Sequence, residues 1–124
     1  MRELDELFTS LGKSAFRKKF HLHGKDLDYL HNKGLTIILG HAHDFISKRL
    51  APAFPEKDGK QTPFRGHPAF VAQHATACCC RGCLEKWHRI PKGRPLSAGE
   101  ETYILGVLER WLFEELHRNE ISLL

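Results

Sequence analysis

Apolar residues recur along the chain at the three- and four-residue intervals of amphipathic helices, and glycine or proline separates these segments. The first segment has apolar residues at positions 4, 7, 8 and 11 and ends at Gly12. Ser14 can cap a second, short helix. The same pattern predicts further helices over residues 26–33, 35–50 and 82–90.

The clearest helical signal is at the carboxyl end of the chain. Ser97 and Glu100 have the spacing of a capping box, in which each side chain bonds the backbone N–H of the other residue. Apolar residues then follow from Ile104 to Leu116 as one continuous stripe. The sequence therefore predicts a long, amphipathic last helix.

A different pattern fills the middle of the chain. Residues 51–68 contain four of the six prolines and an Asp-Gly turn signal, which predicts a long irregular loop. Alternate residues from Phe70 to Thr76 would share one face of a strand over residues 69–76. The predicted fold is a small, mainly α single domain over residues 1–124, with several helices, this loop and one short β element.

Composition limits the class of protein. Hydrophobic residues make up 41% of the chain, which is typical of globular proteins, and no apolar run approaches the roughly 20 residues of a membrane span. The acidic start, with Glu3, Asp5 and Glu6, does not resemble a signal peptide. We therefore expect a cytoplasmic protein without a membrane partner, whose thiols stay reduced.

All four cysteines lie within residues 78–83. Cys80 and Cys83 have the two-residue spacing of a metal knuckle, with glycine completing the turn between them. His88 follows after four residues, which matches the first three ligands of a CCHC zinc knuckle, but Gly93 occupies the fourth position of that motif. The pattern predicts a Zn²⁺ site with Cys80, Cys83 and His88 as ligands.

The fourth ligand decides what such a site does. His74 is the first candidate, and His67 and Cys79 are the alternatives. Four protein ligands are typical of a structural zinc site, whereas three ligands and a water are typical of a catalytic one. Other interpretations of the cysteines are a redox C-x-x-C pair or reduced thiols beside a buried histidine.

Three residues are candidates for catalysis. His41 and Asp44 lie one turn apart on a predicted helix, so they could share a metal or an acid–base site. The alternative is a half-buried histidine that Asp44 tethers. Together with His67, these residues could handle protons in a metal-dependent hydrolase or transferase.

Positive charge surrounds the cysteines. The formal net charge is +4, and residues 67–96 carry five Lys or Arg against one acid. Such a face can attract a nucleic acid or another anionic partner, although it can also be an ordinary solvated surface. The predicted anion-binding residues are Arg65, Arg81, Lys86 and Arg89.

Two long segments carry a family resemblance. Residues 65–76, RGHPAFVAQHAT, and residues 79–88, CCRGCLEKWH, resemble the bacterial and phage DUF4186 family, a domain of unknown function. The resemblance implies that the loop from Asp58 to Pro68 belongs to the site and that Cys78 is not a ligand. The recurrent positions that it implies are Cys79, Cys80, Cys83, His67, His74 and His88.

Overall fold

The computed structural model describes the backbone of residues 1–122 and the side chains up to residue 118. This part of the chain contains helices and irregular segments but no strand, which confirms the mainly α prediction. The helices are α1 (Leu4–Gly12), α2 (Ala15–Lys18), α3 (Gly24–Lys33), α4 (Leu35–Phe45), α5 (Pro68–Ala75), α6 (Arg81–His88) and α7 (Ala98–Ser122). A π-helical turn, Ile46–Leu50, continues α4. No helix in the described part is both long and apolar enough to cross a bilayer.

Local capping signals explain where several helices begin. The Ser14 hydroxyl accepts a bond from the Arg17 N–H at the start of α2. At α7, the Glu100 N–H donates to Ser97 Oγ at 3.1 Å and the Ser97 N–H donates to Glu100 Oε1 at 2.9 Å, as the capping box predicts. Gly34 has φ of +84°, a conformation that lets α4 begin directly after α3.

The short strand predicted for residues 69–76 is wrong, because this segment forms α5. Pro68 starts the helix, and the ring of His67 caps it by accepting the Ala69 N–H at 2.9 Å. Residues 71–75 are all buried, so neither face of the segment is marked by polarity. A helix that is buried all round loses the 3.6-residue pattern that would reveal it.

The hydrophobic core lies between α4, α5 and α7, and each of these helices packs against the other two. From α4 and its π-helical extension the core receives Ile38, Ala42, Ile46 and Leu50. From α7 it receives Ile104, Val107, Leu108, Trp111 and Leu112, the stripe that the sequence predicts. This packing holds α5 fixed behind the cysteine segment.

The long loop, residues 51–67, is held by a buried arginine. Arg81 is fully buried, and its guanidinium donates to the carbonyl oxygens of Leu50, Pro52, Pro91 and Arg94 at 2.8–3.4 Å. These bonds join the start of the loop to the connector between α6 and α7. The structure thus corrects the expectation that Arg81 belongs to an anion-binding surface, since its guanidinium is buried and bonded to carbonyl oxygens inside the protein.

Candidate metal centre

Three cysteine sulfurs converge at the amino end of α6. The Sγ atoms of Cys79, Cys80 and Cys83 all lie within 4.8 Å of one another, and this group could hold a metal ion. Cys80 is the N-cap of α6, and its sulfur accepts the Cys83 N–H at 3.4 Å. Sulfurs bound at about 2.3 Å to one tetrahedral ion lie about 3.8 Å apart. The observed group is therefore close to the size of a metal site.

Arg17 of α2 completes this cluster. Its Nη2 lies 3.2 Å from Cys83 Sγ and its Nη1 lies 3.8 Å from Cys79 Sγ, while Nη1 also donates to the His74 carbonyl at 2.7 Å. The side chain is only 8% exposed. Three thiolates around a divalent ion leave one negative charge, which a guanidinium at this distance can balance.

Arg17 is a residue of the cluster that no sequence motif indicated. It stands in a run of three basic residues beside Phe16, and such a run normally lies in solvent. In the structure, Arg17 packs near the rings of Phe16 and Trp87, with its guanidinium carbon 4.9 and 5.9 Å from their centroids. The signal that could have found it is its position one turn from the start of a helix between two aromatic residues.

The thiol groups of the cluster differ in their pKa values. Hydrogen bonds from the Cys79 and Cys80 thiols, followed by the bond and charge of Arg17, hold the pKa of Cys83 far below its usual range. The pKa of Cys79 is raised, because its S–H donates to the other two sulfurs and because it is buried. A thiolate at Cys83, ready to bind a cation, is the expected state of the cluster.

His88 lies in the core rather than at the three sulfurs. Its Nε2 is 2.8 Å from the Thr76 carbonyl oxygen and its Nδ1 is 2.7 Å from the Tyr103 hydroxyl. Because a carbonyl only accepts, Nε2 carries the proton and Nδ1 accepts from Tyr103. The ring is fully buried, and burial lowers the pKa of His88 to about 4. Both ring nitrogens are thus engaged away from the three clustered sulfurs.

His74 also serves a different contact. Its Nε2 bonds the Thr62 carbonyl at 2.9 Å, and its ring stacks on Phe64 with centroids 4.1 Å apart. Burial lowers the pKa of His74, which favours the neutral ring. Within the described residues, no further His, Cys, Asp or Glu joins the three sulfurs at the spacing of a ligand set. The structure brings together Cys80, Cys83 and the alternate Cys79, but none of the candidate histidines.

Cys78 and the loop after Asp58 both lie next to the three clustered cysteines. Cys78 is fully buried, with its sulfur 3.4 Å from His88 Nε2, and burial raises its pKa to about 12. Asp58 accepts the Arg81 N–H at the start of α6, and Thr62 Oγ1 donates to the Cys79 carbonyl at 2.8 Å. The loop therefore lies against the cysteine cluster.

The catalytic candidates form a separate group. His41 Nδ1 lies 3.0 Å from His67 Nε2. Since His67 Nδ1 accepts the Ala69 N–H, the proton between the rings belongs to His67 Nε2, and it is donated to His41. Burial and the neighbouring His41 lower the pKa of His67 to about 4. Asp44 lines the same cavity of about 250 Å³ as His41, but its carboxylate lies 3.9 Å from His43.

The predicted anion-binding residues other than Arg81 are exposed. Lys86 lies on the outer side of α6, and Arg89 follows that helix in a left-handed conformation. Arg65 borders a surface groove between the loop and the segment joining α2 to α3. These three cations are therefore on the surface and available to an outside ligand.

Comparison with known proteins agrees with the resemblance in the sequence. No solved structure matches this chain. The family model described as a domain of unknown function (DUF4186) matches residues 5–113, which include α2 to α6, most of α1 and α7, and all four cysteines. Because the match covers most of the chain, the protein belongs to the DUF4186 family.

Proposed function

We propose that the protein is a small zinc-binding module in which Cys79, Cys80 and Cys83 hold the ion. The observation that carries the proposal is the convergence of three sulfurs at one helix terminus beside a buried cation. Thiolates are ligands that zinc prefers, and the N-terminus of α6 favours negative charge. Arg17 would balance the charge that remains on the loaded site.

A zinc ion at this point would serve the stability of the fold. The cluster already joins α6 to α2 through Arg17, and Arg17 in turn holds the last turn of α5 at the His74 carbonyl. Thr62 ties the long loop to the same cluster through the Cys79 carbonyl. Binding at an ordered set of ligands contributes directly to the free energy of unfolding, so the ion would staple these four segments.

The exposed cations support contact with a nucleic acid or another anionic partner. Arg65, Lys86 and Arg89 lie on the surface, whereas Arg94 is already paired with Glu100 at 2.7 Å. Unpaired surface cations of this kind attract phosphate groups over distances of about 10 Å at moderate salt. The partner is therefore expected to be polyanionic.

One observation favours a second candidate, a metal-dependent hydrolase or transferase. The described residues supply three sulfur ligands, and Cys80 and Cys83 are partly exposed, so an outside ligand could take the fourth position. An open position is typical of catalytic zinc. In that case His41 and Asp44, which line one cavity, and His67, whose ring contacts His41, would be tested as proton-handling residues.

Metal analysis of the full chain tests the proposal. The protein is purified in reducing buffer without chelator, and its zinc content is compared with that of Cys83→Ser and of Cys78→Ala. One zinc per chain is expected in the wild type and in Cys78→Ala, and none in Cys83→Ser. Metal-free wild-type protein, or equal zinc in both variants, would refute the site.

Cobalt substitution separates the two candidates. The visible spectrum of the cobalt-loaded protein reports the ligands of the ion, and added azide or a small thiol shifts that spectrum only when one position is open. A spectrum that does not respond supports a closed, structural centre. A clear shift supports the hydrolase or transferase and calls for activity tests with His41→Ala and His67→Ala.

A further inference from the structure

A surface groove of about 490 Å³ runs beside the loop that covers the cysteine cluster. The residues that matter for its chemistry are Lys19, Phe20, His23, Asp26, Phe64 and Arg65. From these residues we infer that the groove binds single-stranded nucleic acid, with a base stacked on Phe64 and phosphates beside Lys19 and Arg65. The inference rests on the polyanionic partner of the proposed function and identifies both the partner and its place.

Phe64 is an aromatic platform with one open face. The side chain is 62% exposed, although its ring stacks on His74 at 4.1 Å with an interplanar angle of 14°. The Phe20 ring lies nearly parallel to it, 6.4 Å away. Because His74 is itself bonded to the Thr62 carbonyl, the ring beneath Phe64 is held in place. A phenylalanine fixed on one face and open on the other is a typical stacking site for an unpaired base.

Charge along both walls of the groove is positive. Neither the stretch between Glu6 and Asp26 nor that between Asp58 and Glu85 contains an acid, and apart from the buried Arg17 and Arg81 their basic residues are exposed: Lys13, Lys18, Lys19, Lys25, Lys60 and Arg65. Lys19 lies within this first stretch, with its Nζ 5.6 Å from the centroid of the Phe20 ring. The groove's own carboxylate, Asp26, accepts the Gly66 N–H at 3.2 Å, so it helps to hold the loop. Phosphates thus meet a basic surface next to the platform.

The exposed platform favours an unpaired strand over a duplex or an acidic peptide. In a duplex, base faces are stacked on one another and unavailable to Phe64, whereas a single strand presents them. An acidic peptide would use Lys19 and Arg65 but would gain little from an open aromatic face. A second groove, of about 580 Å³, offers a matched comparison because it contains exposed Phe54 and Lys57.

Fluorescence anisotropy with the full, zinc-loaded chain tests the inference. The probe is a labelled 20-nucleotide single strand of DNA or RNA, titrated at several salt concentrations. Phe64→Ala is expected to weaken binding about 5- to 150-fold, the range for loss of one stacked base. Lys19→Gln and Arg65→Gln should each reduce the slope of log K against log salt by about 0.7. Phe54→Ala and Lys57→Gln are the controls and should bind as the wild type does.

Several results would overturn the inference. These are equal binding by Phe64→Ala and wild type, a loss that follows Phe54 instead of Phe64, and binding of duplex DNA or poly-glutamate as tight as that of the single strand. Circular dichroism and zinc content of each variant show whether it is folded. Zinc-loaded protein that binds no oligonucleotide at low salt refutes the groove and leaves the metal site intact. Metal-free protein that binds through Phe64 refutes the metal site alone.

Discussion

Replacing His88 with alanine is expected to destabilise the fold without removing the metal. The spacing of the cysteines and His88 predicts that His88 is a metal ligand. In the structure, however, both of its ring nitrogens are hydrogen-bonded to other partners. His88→Ala therefore separates the two roles, because a ligand and a core residue respond differently to its loss. Cys83→Ser is the comparison, since its sulfur belongs to the group of three that could hold a metal ion.

The size of the effect follows from what the ring contacts. Thr76 is fully buried, so its carbonyl cannot exchange the lost bond for water and keeps only the weak Cys78 S–H donor at 3.7 Å, which costs about 1–3 kcal/mol. Tyr103 is partly exposed, so its hydroxyl can turn to solvent at little cost. The cavity left by the fully buried imidazole adds about 1–2 kcal/mol. The expected loss is thus about 2–5 kcal/mol, a large part of the stability of a domain this size.

The same residue predicts a dependence of stability on pH. The pKa of His88 is about 4 in the fold and 6.5 in an unfolded chain, so between these values the unfolded chain binds more protons. Its contribution is fully present above pH 6.5 and is lost as the pH falls toward 4. The full difference of about 2.5 pH units corresponds to about 3 kcal/mol, of which about 2 kcal/mol falls between pH 7 and pH 5.

Urea unfolding of wild type and His88→Ala at pH 7 and pH 5, with zinc content measured on the same samples, tests this reasoning. Any effect of pH on the metal enters both proteins, so the difference between them isolates His88. The wild type should lose about 2 kcal/mol more than the variant on acidification. A folded His88→Ala protein without zinc would mean that His88 is a ligand, and an unchanged free energy of unfolding would refute its role in the core.

Three other perturbations have defined outcomes. Arg81→Met should lower the free energy of unfolding by about 2–4 kcal/mol in urea titration, since it leaves four carbonyls without their donor, and an unchanged stability would contradict the clamp. Arg17→Gln should weaken zinc binding in a chelator competition about tenfold more than Arg17→Lys does, because only lysine keeps the charge; equal losses would show that charge is not its role. Zinc affinity should rise about tenfold per pH unit for each proton released on binding, because the raised pKa of Cys79 keeps its proton in place until the ion displaces it. A zinc affinity that does not change with pH would argue against Cys79 as a ligand.

Much of the fold was predictable because its signals are local. The capping box at Ser97 and the apolar stripe after it lie within one helix, so neither depends on a distant segment. Gly12 and Gly34 end helices in the positions that the pattern gives. The buried helix α5 was not predictable in this way, since its neighbours on every side remove the contrast between polar and apolar faces.

In the candidate site, too, the local features were predictable from the sequence and the long-range contacts were not. Cys80 and Cys83 are three residues apart at a helix start, so one turn of backbone brings their sulfurs together, and the sequence alone determines that pair. The basic run that contains Arg17 is also evident in the sequence, but the sequence does not show which of its side chains points inward. Only packing of α2 against α5 turns one of three neighbouring cations inward to the sulfurs.

The histidines show why spacing was insufficient for the rest. His88 lies on α6 five residues after Cys83, and a helix places it on the face that enters the core, where Thr76 and Tyr103 bind it. His74 turns to Thr62 because the long loop folds over α5. The short-range order of cysteine, cysteine and histidine predicted a metal centre, whereas the tertiary structure brings Cys79 and Arg17, not His88, to the sulfurs of Cys80 and Cys83. The Arg17 contact joins segments about 60 residues apart, which no local spacing encodes.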